Sequence, residues 1–497
     1  MVMSFSRRWL LVPRPESPGR ATPTRSRGGE RREAHGSRQA AAGALWTGRR
    51  PDRTASRRAL IAVAAALPAA KWASRFPAAM LPSLDARDFT DDTGRPLRGG
   101  GDDAQCIQNA IRHAVATMGG AATIYLGGGP LTLKSPLAIR TNIRLIGDGP
   151  NATIATVAYS TAADVIAIGA GSGNPAYAGL RGIQFVLGKG ENSGGGALIH
   201  CTNNHDCGIE DCVFWGAFFC MVQIDGGSRQ YINYVRRCEF NPRHPNRNSA
   251  AILIGASGFP QDVWLEDLEM GGGNAGQTGI LVQNVGGLQV RNVDIINMRR
   301  TGFAIYPQAG GNVANCFLDN LEVDTCAQDG TEVSGAIIGA ASSGSIRDIR
   351  MTDCWFASNG HGHGASGLVV NGTSSLTIDG VHMSDCIFAN NGGHGLVLGP
   401  YARNIDADNC QCADNGQARR NSYDGLVVDC SLVSIIGGRS GSNDALGHRS
   451  GTQRYGYAIR PRTDYVVLLG ASAHGNETGP LENLSTGRHN TIVRPAG

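Results

Sequence analysis

The sequence predicts an all-β chain: a single right-handed parallel β-helix, a solenoid of short strands, with an α-helical cap at its N-terminal end. Three observations carry that expectation. The first is composition, because 70 glycines with only 6% aromatic and 17% charged residues suit many tight turns and short apolar strands rather than a helical bundle. The second is a Gly-led apolar strand that recurs every 23 to 33 residues. It begins at Thr278-Gly279-Ile280-Leu281-Val282, passes through Thr301-Gly302, Ser334-Gly335, Ser366-Gly367, His394-Gly395 and Asp424-Gly425, and ends at Tyr455-Gly456. That period fits one coil of three strands with turns, and a solenoid can use all 497 residues along one axis. The third is a ladder in the other half of each coil: Thr325-Cys326, Asp353-Cys354, Asp385-Cys386 and Asn409-Cys410, followed by polar turns at Asp329-Gly330, Asn359-Gly360, Asn390-Asn391 and Asn415-Gly416.

Stacked coils set equivalent residues one above another at strand spacing, so these thiols and turn amides should form internal columns. The 13 cysteines read mostly as buried packing groups. Their odd number leaves at least one unpaired, and no Cys-x-x-Cys with a partner at metal-binding spacing occurs.

The formal charge of +4 averages two unlike parts. Residues 1–80 hold 16 Lys+Arg against 4 Asp+Glu, and the remainder holds 29 against 37. An Arg-rich head would suggest nucleic-acid binding if it folded. Between Val12 and Arg53, however, it lacks the apolar periodicity of a core, so no nucleic-acid partner is expected. Ser56-Arg57-Arg58-Ala59-Leu60-Ile61, followed by the apolar run Ala62–Leu67 and small residues around Pro68, has the layout of a twin-arginine-like export signal. No Met lies between Met3 and Met80, so an upstream mis-start would account for its distance from Met1. The apolar run is too short to span a bilayer. The expected organisation is a head over 1–80, cap helix and first coils over 81–150, β-helix over 151–475 and a tail over 476–497.

The N-terminal end of the body reads Asp91-Asp92-Thr93-Gly94, then Gly101-Asp102-Asp103-Ala104-Gln105-Cys106-Ile107-Gln108-Asn109-Ala110-Ile111, then Ala122-Thr123-Ile124-Tyr125-Leu126 and Ile143-Arg144-Leu145-Ile146-Gly147-Asp148-Gly149. It resembles the opening of the rhamnogalacturonase, epimerase and tailspike-like branch of the pectate-lyase superfamily, where an amphipathic helix plugs the first coil. Asp103 reads as the helix N-cap, with Ile107, Ala110, Ile111 and Ala114 facing the coil. The resemblance spans residues 85 to 475. It implies a polysaccharide partner and a monomer; a spike-like role would imply a homotrimer.

Along each Gly-led strand the side chains alternate. The outward central row should therefore be Leu281, Ala304, Ile337, Val369, Val397, Val427 and Ala458. So apolar a row suggests either a face covered by loops or another subunit, or an apolar floor between polar walls. Ionisable groups gather in the walls of the last coils. His394 and Asp424 should lie one coil apart, close enough for the carboxylate to orient or charge the imidazole. The loops Gly360-His361-Gly362-His363-Gly364 and Arg419-Arg420-Asn421-Ser422-Tyr423 feed the same region.

Lyase chemistry on a uronate needs a cation, which Arg419, Arg420 or Arg460 could supply, and a base such as His394 or Tyr423. Hydrolysis needs two carboxylates about 5 to 9.5 Å apart. Asp424 and Asp429, at opposite ends of one strand, are roughly 16 Å apart at about 3.3 Å per residue. The candidate catalytic set is His394, Tyr423 and Asp424. The candidate substrate-binding set is Arg419, Arg420, His361, His363, Asp429 and Arg460. No metal or cofactor is assigned, and calcium has no clustered Asp triplet to support it. The expected function is an exported lyase or glycoside hydrolase acting on a uronate-containing or other complex polysaccharide. The rival is a non-catalytic β-helix that binds polysaccharide or serves as an adhesin or spike-like subunit.

Overall fold

Two parallel sheets wind around one apolar core in the computed structural model. It describes residues 81–495, apart from 141, 160–161, 170–176, 189–194, 203–204, 227–230, 245, 247–248, 274–277, 340–342 and 443–451. These residues fall within one unit, Ala78–Gly497, and the Arg57-Arg58 segment lies outside them. The front sheet has 13 strands, from Leu137–Ile139 to Gly479–Asn483, and contains every Gly-led strand of the repeat. The second, bent sheet has 23 strands. Its bend is made by a column of residues in the left-handed region, including Asp267 (φ 54), Asn292 (φ 52), Asn320 (φ 54), Asp353 (φ 53), Asp385 (φ 57) and Asn409 (φ 51). Asn and Asp tolerate that conformation better than other residues with side chains, which is why Asp or Asn recurs before Cys354, Cys386 and Cys410.

In Leu396–Leu398 burial alternates as expected, with Leu396 and Leu398 fully buried and Val397 half-buried, whereas the central residues Leu253, Ala304, Val427 and Ala458 of other front-sheet strands are covered as well. Inside, equivalent rings stack from coil to coil, Phe356 on Phe388 at 5.3 Å and Phe214 on Phe240 at 4.6 Å. The turn amides form a buried column. Asn391 Oδ1 accepts from Asn359 N and Nδ2 at 3.1 Å each, and Asn415 Oδ1 accepts from Asn391 N at 3.1 Å and Nδ2 at 2.9 Å. Gln453 Oε1 continues the column, accepting from Asn415 N at 3.0 Å.

This column explains the repeated glycine. A Cβ on Gly395 would lie 2.7 Å from both Asn415 Nδ2 and Gly425 O, and one on Gly367 would lie 2.7 Å from Asn391 Nδ2. At Gly335, Gly367 and Gly395 the strand must begin with glycine because the amide of the neighbouring turn fills the space of a side chain.

All 13 cysteines are buried and free. Two details of the sequence ladder are corrected. The register Glu322↔Trp355 and Asp324↔Ala357 places Leu321, not Cys326, level with Cys354. Cys326 instead occupies the place that Asn359 takes one coil later, and its amide donates to Asn359 Oδ1 at 2.9 Å. Asp329 stays out of the amide column, because its carboxylate closes its own turn on Thr331 N at 2.8 Å and Oγ1 at 2.6 Å.

The cap helix runs Asp103–Thr117 and buries Ile107, Ala110, Ile111 and Ala114. Its N-cap is Asp102, whose carboxylate accepts from Ala104 N at 3.1 Å, not Asp103. Asp103 is the first helical residue and turns its carboxylate to Arg98 N at 2.5 Å and Thr132 N at 2.6 Å. Gln108 pairs with both backbone groups of Ala138, donating at 3.2 Å and accepting at 2.9 Å. Helix side chains thus take the place of a missing coil for the first strands, satisfying amides that burial would otherwise leave unpaired.

At the other end the solenoid continues past residue 475. Gly479–Asn483 pairs with Tyr455–Ile459, and Thr491–Ile492 pairs with Val466–Leu469.

Candidate functional site

The outward face of the front sheet is a long strip whose central row is in register from coil to coil. From the N-terminal end it reads Ala138, Ala167, His200, Gln223, Leu253, Leu281, Ala304, Ile337, Val369, Val397, Val427, Ala458 and Glu482. The apolar stretch Leu253–Ala458 spans about 34 Å at roughly 4.8 Å per coil. Polar clusters stand at both ends of it.

The C-terminal cluster gathers several residues singled out from the sequence. His394 and Asp424 are one coil apart, but the carboxylate does not charge the imidazole. Asp424 N donates to His394 Nδ1 at 2.8 Å, which places the ring proton on Nε2. Burial holds the imidazole pKa below its ordinary value, and the nearby Arg460 and Arg454 add to the effect of burial, against the pull of Asp424. Asp424 is fully buried, and its oxygens are occupied by Arg454 (Nε 2.9 Å, Nη2 2.8 Å) and Arg460 Nη2 (3.2 Å). Glu482 completes a quartet, accepting from Arg460 Nη1 at 2.8 Å and lying 3.5 Å from Arg454 Nη2.

Tyr423 meets His394 edge to face, with ring centroids 5.2 Å apart. Its hydroxyl lies over Gly364, where any side chain would collide with it, so the His-Gly loop and the Tyr423 loop converge. His361 and His363 are exposed in that loop, and His363 packs over Gly330. Arg420 is bound to Glu477, Arg419 is exposed, and Asp429 is half-buried at the far end of its strand. The structure therefore joins His394, Tyr423, Asp424 and Arg460 and leaves Asp429, Arg419 and Arg420 outside their direct contacts.

Arg454 and Glu482 were missed in the sequence reading. Arg454 precedes the repeat motif by one residue, and Glu482 belongs to the segment read as a tail.

The N-terminal cluster was missed entirely. His200 Nδ1 is 2.7 Å from Asp164 Oδ2 and its Nε2 is 3.0 Å from Asp225 Oδ2. Asp225 also accepts from Gln223 Nε2 at 2.8 Å, Ser257 N at 2.9 Å and Ser257 Oγ at 3.0 Å. Burial alone would lower the pKa of His200, but its bonds to Asp164 and Asp225 outweigh this and raise it to about 9. It is an imidazolium with both N–H groups committed, not a base. The usable signal was the register: Ala197-Leu198-Ile199-His200-Cys201 is a front-sheet strand whose outward residue is a histidine, but it lacks the leading pattern of the later repeats.

Among the described residues no group of three or more His, Cys, Asp or Glu side chains is placed to hold a metal ion, and no helix is long and apolar enough to cross a membrane.

A family model described as right handed beta helix region matches residues 278–444. The fold is a right-handed parallel β-helix. This β-helix is similar to the A-module of a mannuronan C-5 epimerase from Azotobacter vinelandii, with TM-score 0.56 and 17% identity over 82% of this chain and 99% of that one. It is also similar to tailspike protein 3 of bacteriophage CBA120 (TM-score 0.49, 15% identity, 83% of this chain and 62% of that one). A third is the catalytic unit of an alpha-1,3-glucanase from Streptomyces thermodiastaticus (TM-score 0.40, 14% identity, 81% and 70%). At these identities the likeness is one of fold. No curated protein matches the sequence.

Proposed function

We propose that this β-helix acts on a polysaccharide laid along the outward face of its front sheet, with the reaction at the His394–Tyr423 end. The observation that supports this most is the apolar row from Leu253 to Ala458, continuous over eight coils, with Gln223 before it and Glu482 after it. Sugar rings present apolar faces as well as hydroxyls, and such a floor with polar ends suits a polymer better than a small ligand. The name of the similar mannuronan C-5 epimerase A-module agrees with a polysaccharide partner. The Arg57-Arg58 pattern, outside the described residues, supports export.

Within that reading β-elimination on a uronate fits the C-terminal cluster. A neutral His394 with its proton on Nε2 is a hydrogen-bond donor for the uronate carboxylate. Tyr423 stands beside it to carry the C5 proton to the departing C4 oxygen as the C4–O bond breaks and the C4=C5 double bond forms. Asp424, Arg454, Arg460 and Glu482 hold His394 in place through the Asp424 amide. The same closed quartet favours a second reading: with its charges mutually satisfied and Asp424 buried, the cluster could be purely structural in a protein that only binds the polymer.

The test is to incubate the full chain with acidic and neutral polysaccharides and follow both unsaturated-uronate absorbance and new reducing ends. The lyase reading expects both signals to appear and Tyr423→Phe to lower the rate by about 100-fold or more. Reducing ends alone would indicate hydrolysis. Binding without either signal would establish the second reading, and sedimentation would then separate a monomer from a spike-like trimer.

A further inference from the structure

We infer that the Asp164–His200–Asp225 cluster is a subsite for an uncharged sugar unit; this rests on the polysaccharide reading above and adds the chemistry of the sugar bound at the far end. The comparison that carries the inference lies within the molecule. In the outward row the coils beside His200 carry Ala167 on one side and the uncharged Gln223 on the other, and the coils beyond them carry Ala138, Leu253 and Leu281. The fold therefore has no need of a charged group there, and three buried or half-buried ionised groups are costly to assemble for packing alone.

The cluster is also directional. The Asp225 side chain is 2% exposed and saturated by His200, Gln223 and Ser257. The His200 side chain is 20% exposed with both nitrogens engaged, and the Asp164 side chain is 28% exposed, with Ala197 N bound at 2.9 Å to one oxygen and His200 to the other. Asp225 thus holds His200, and His200 holds Asp164 as an ionised acceptor at the edge of the strip.

Two carboxylates against one imidazolium leave one net negative charge. A fixed carboxylate accepts hydrogen bonds from sugar hydroxyls and repels a uronate carboxylate. The half-buried Gln223 and the apolar Leu253, next in the row, extend the surface toward the floor. Taken with β-elimination at His394, this makes the substrate a mixed polymer whose units at the Asp164 end are neutral.

Calorimetric titration of the full chain and of Asp164→Asn with neutral hexasaccharides (cello-, xylo- and α-gluco-oligosaccharides) and with oligogalacturonate and oligomannuronate hexasaccharides tests this. The expected result is binding of a neutral hexasaccharide that Asp164→Asn weakens about tenfold or more. In the unsubstituted chain that binding should be insensitive to added salt, since no ligand charge is screened; this second readout does not depend on how the variant folds. Neutral binding that ignores Asp164→Asn, or uronate binding that Asp164→Asn weakens, would overturn the subsite and leave the polysaccharide reading intact. Failure of every sugar to bind the unsubstituted chain would overturn both.

Discussion

At His200 two carboxylates clamp one imidazole, and the consequence is a dependence of stability on pH. The folded-state pKa is raised from 6.5 to about 9. Its contribution to stability is therefore fully present below pH 6.5 and is lost as pH rises through about 9. Roughly 3 kcal/mol is at stake, an upper value because the ring is partly exposed. Melting temperature measured across that interval should fall with rising pH, and His200→Gln should flatten the slope. An unchanged slope in the variant would mean that the imidazole is not charged in the folded protein. At His394 the sign is opposite: buried, and accepting a backbone N–H, it stays neutral. Two histidines, one within a front-sheet strand and one just before such a strand, thus differ because one meets carboxylates and the other an amide.

At the scale of the element, the Gly-led strand and the amide column are one device seen from two sides. Each buried Asn replaces the side chain that Gly335, Gly367 or Gly395 lacks and joins successive coils by hydrogen bonds. Asn391→Ala leaves Asn359 N and Phe356 O without their partner and should cost roughly 2–5 kcal/mol. Thr377→Ala, on an exposed position of the strand Leu376–Ser384, should change stability by no more than about 0.5 kcal/mol. Urea midpoints of the two variants check this, and equal midpoints would remove the column from the list of stabilising elements. The repeat spacing and the glycines were legible in the sequence because both recur. The register slip at Cys326 was not, because a slip of a few residues leaves the cysteine–turn pattern looking the same while exchanging which side chains stack.

The whole molecule is a line of coils in which each stabilises its neighbours, so its ends matter more than their length suggests. The cap helix protects the first coils with Asp102, Asp103 and Gln108 rather than with apolar side chains alone. The last coils depend on residues beyond 475, where the sequence suggested only a tail. Removing 476–497 takes away the strand Gly479–Asn483 and leaves Arg454 and Arg460 without Glu482. That loss should cost about 3 kcal/mol or more, visible as a lower melting temperature of the truncated chain. An unaltered melting temperature would show that the solenoid is complete at residue 475.

The sequence by itself determined the solenoid, its period, the helical cap, the inward and outward faces of each strand and the neighbourhood of His394, Tyr423 and Asp424. These follow from local spacing and alternation, which any stacking of the coils must respect. Only the tertiary structure decided which coil lies level with which, and that decision carries the chemistry. It sets an amide rather than a carboxylate against His394, brings Arg454 and Glu482 into its surroundings, and assembles Asp164, His200 and Asp225 from three coils. A charge cluster built across coils leaves no pattern within any one of them, so its members read in sequence as isolated turn and strand residues.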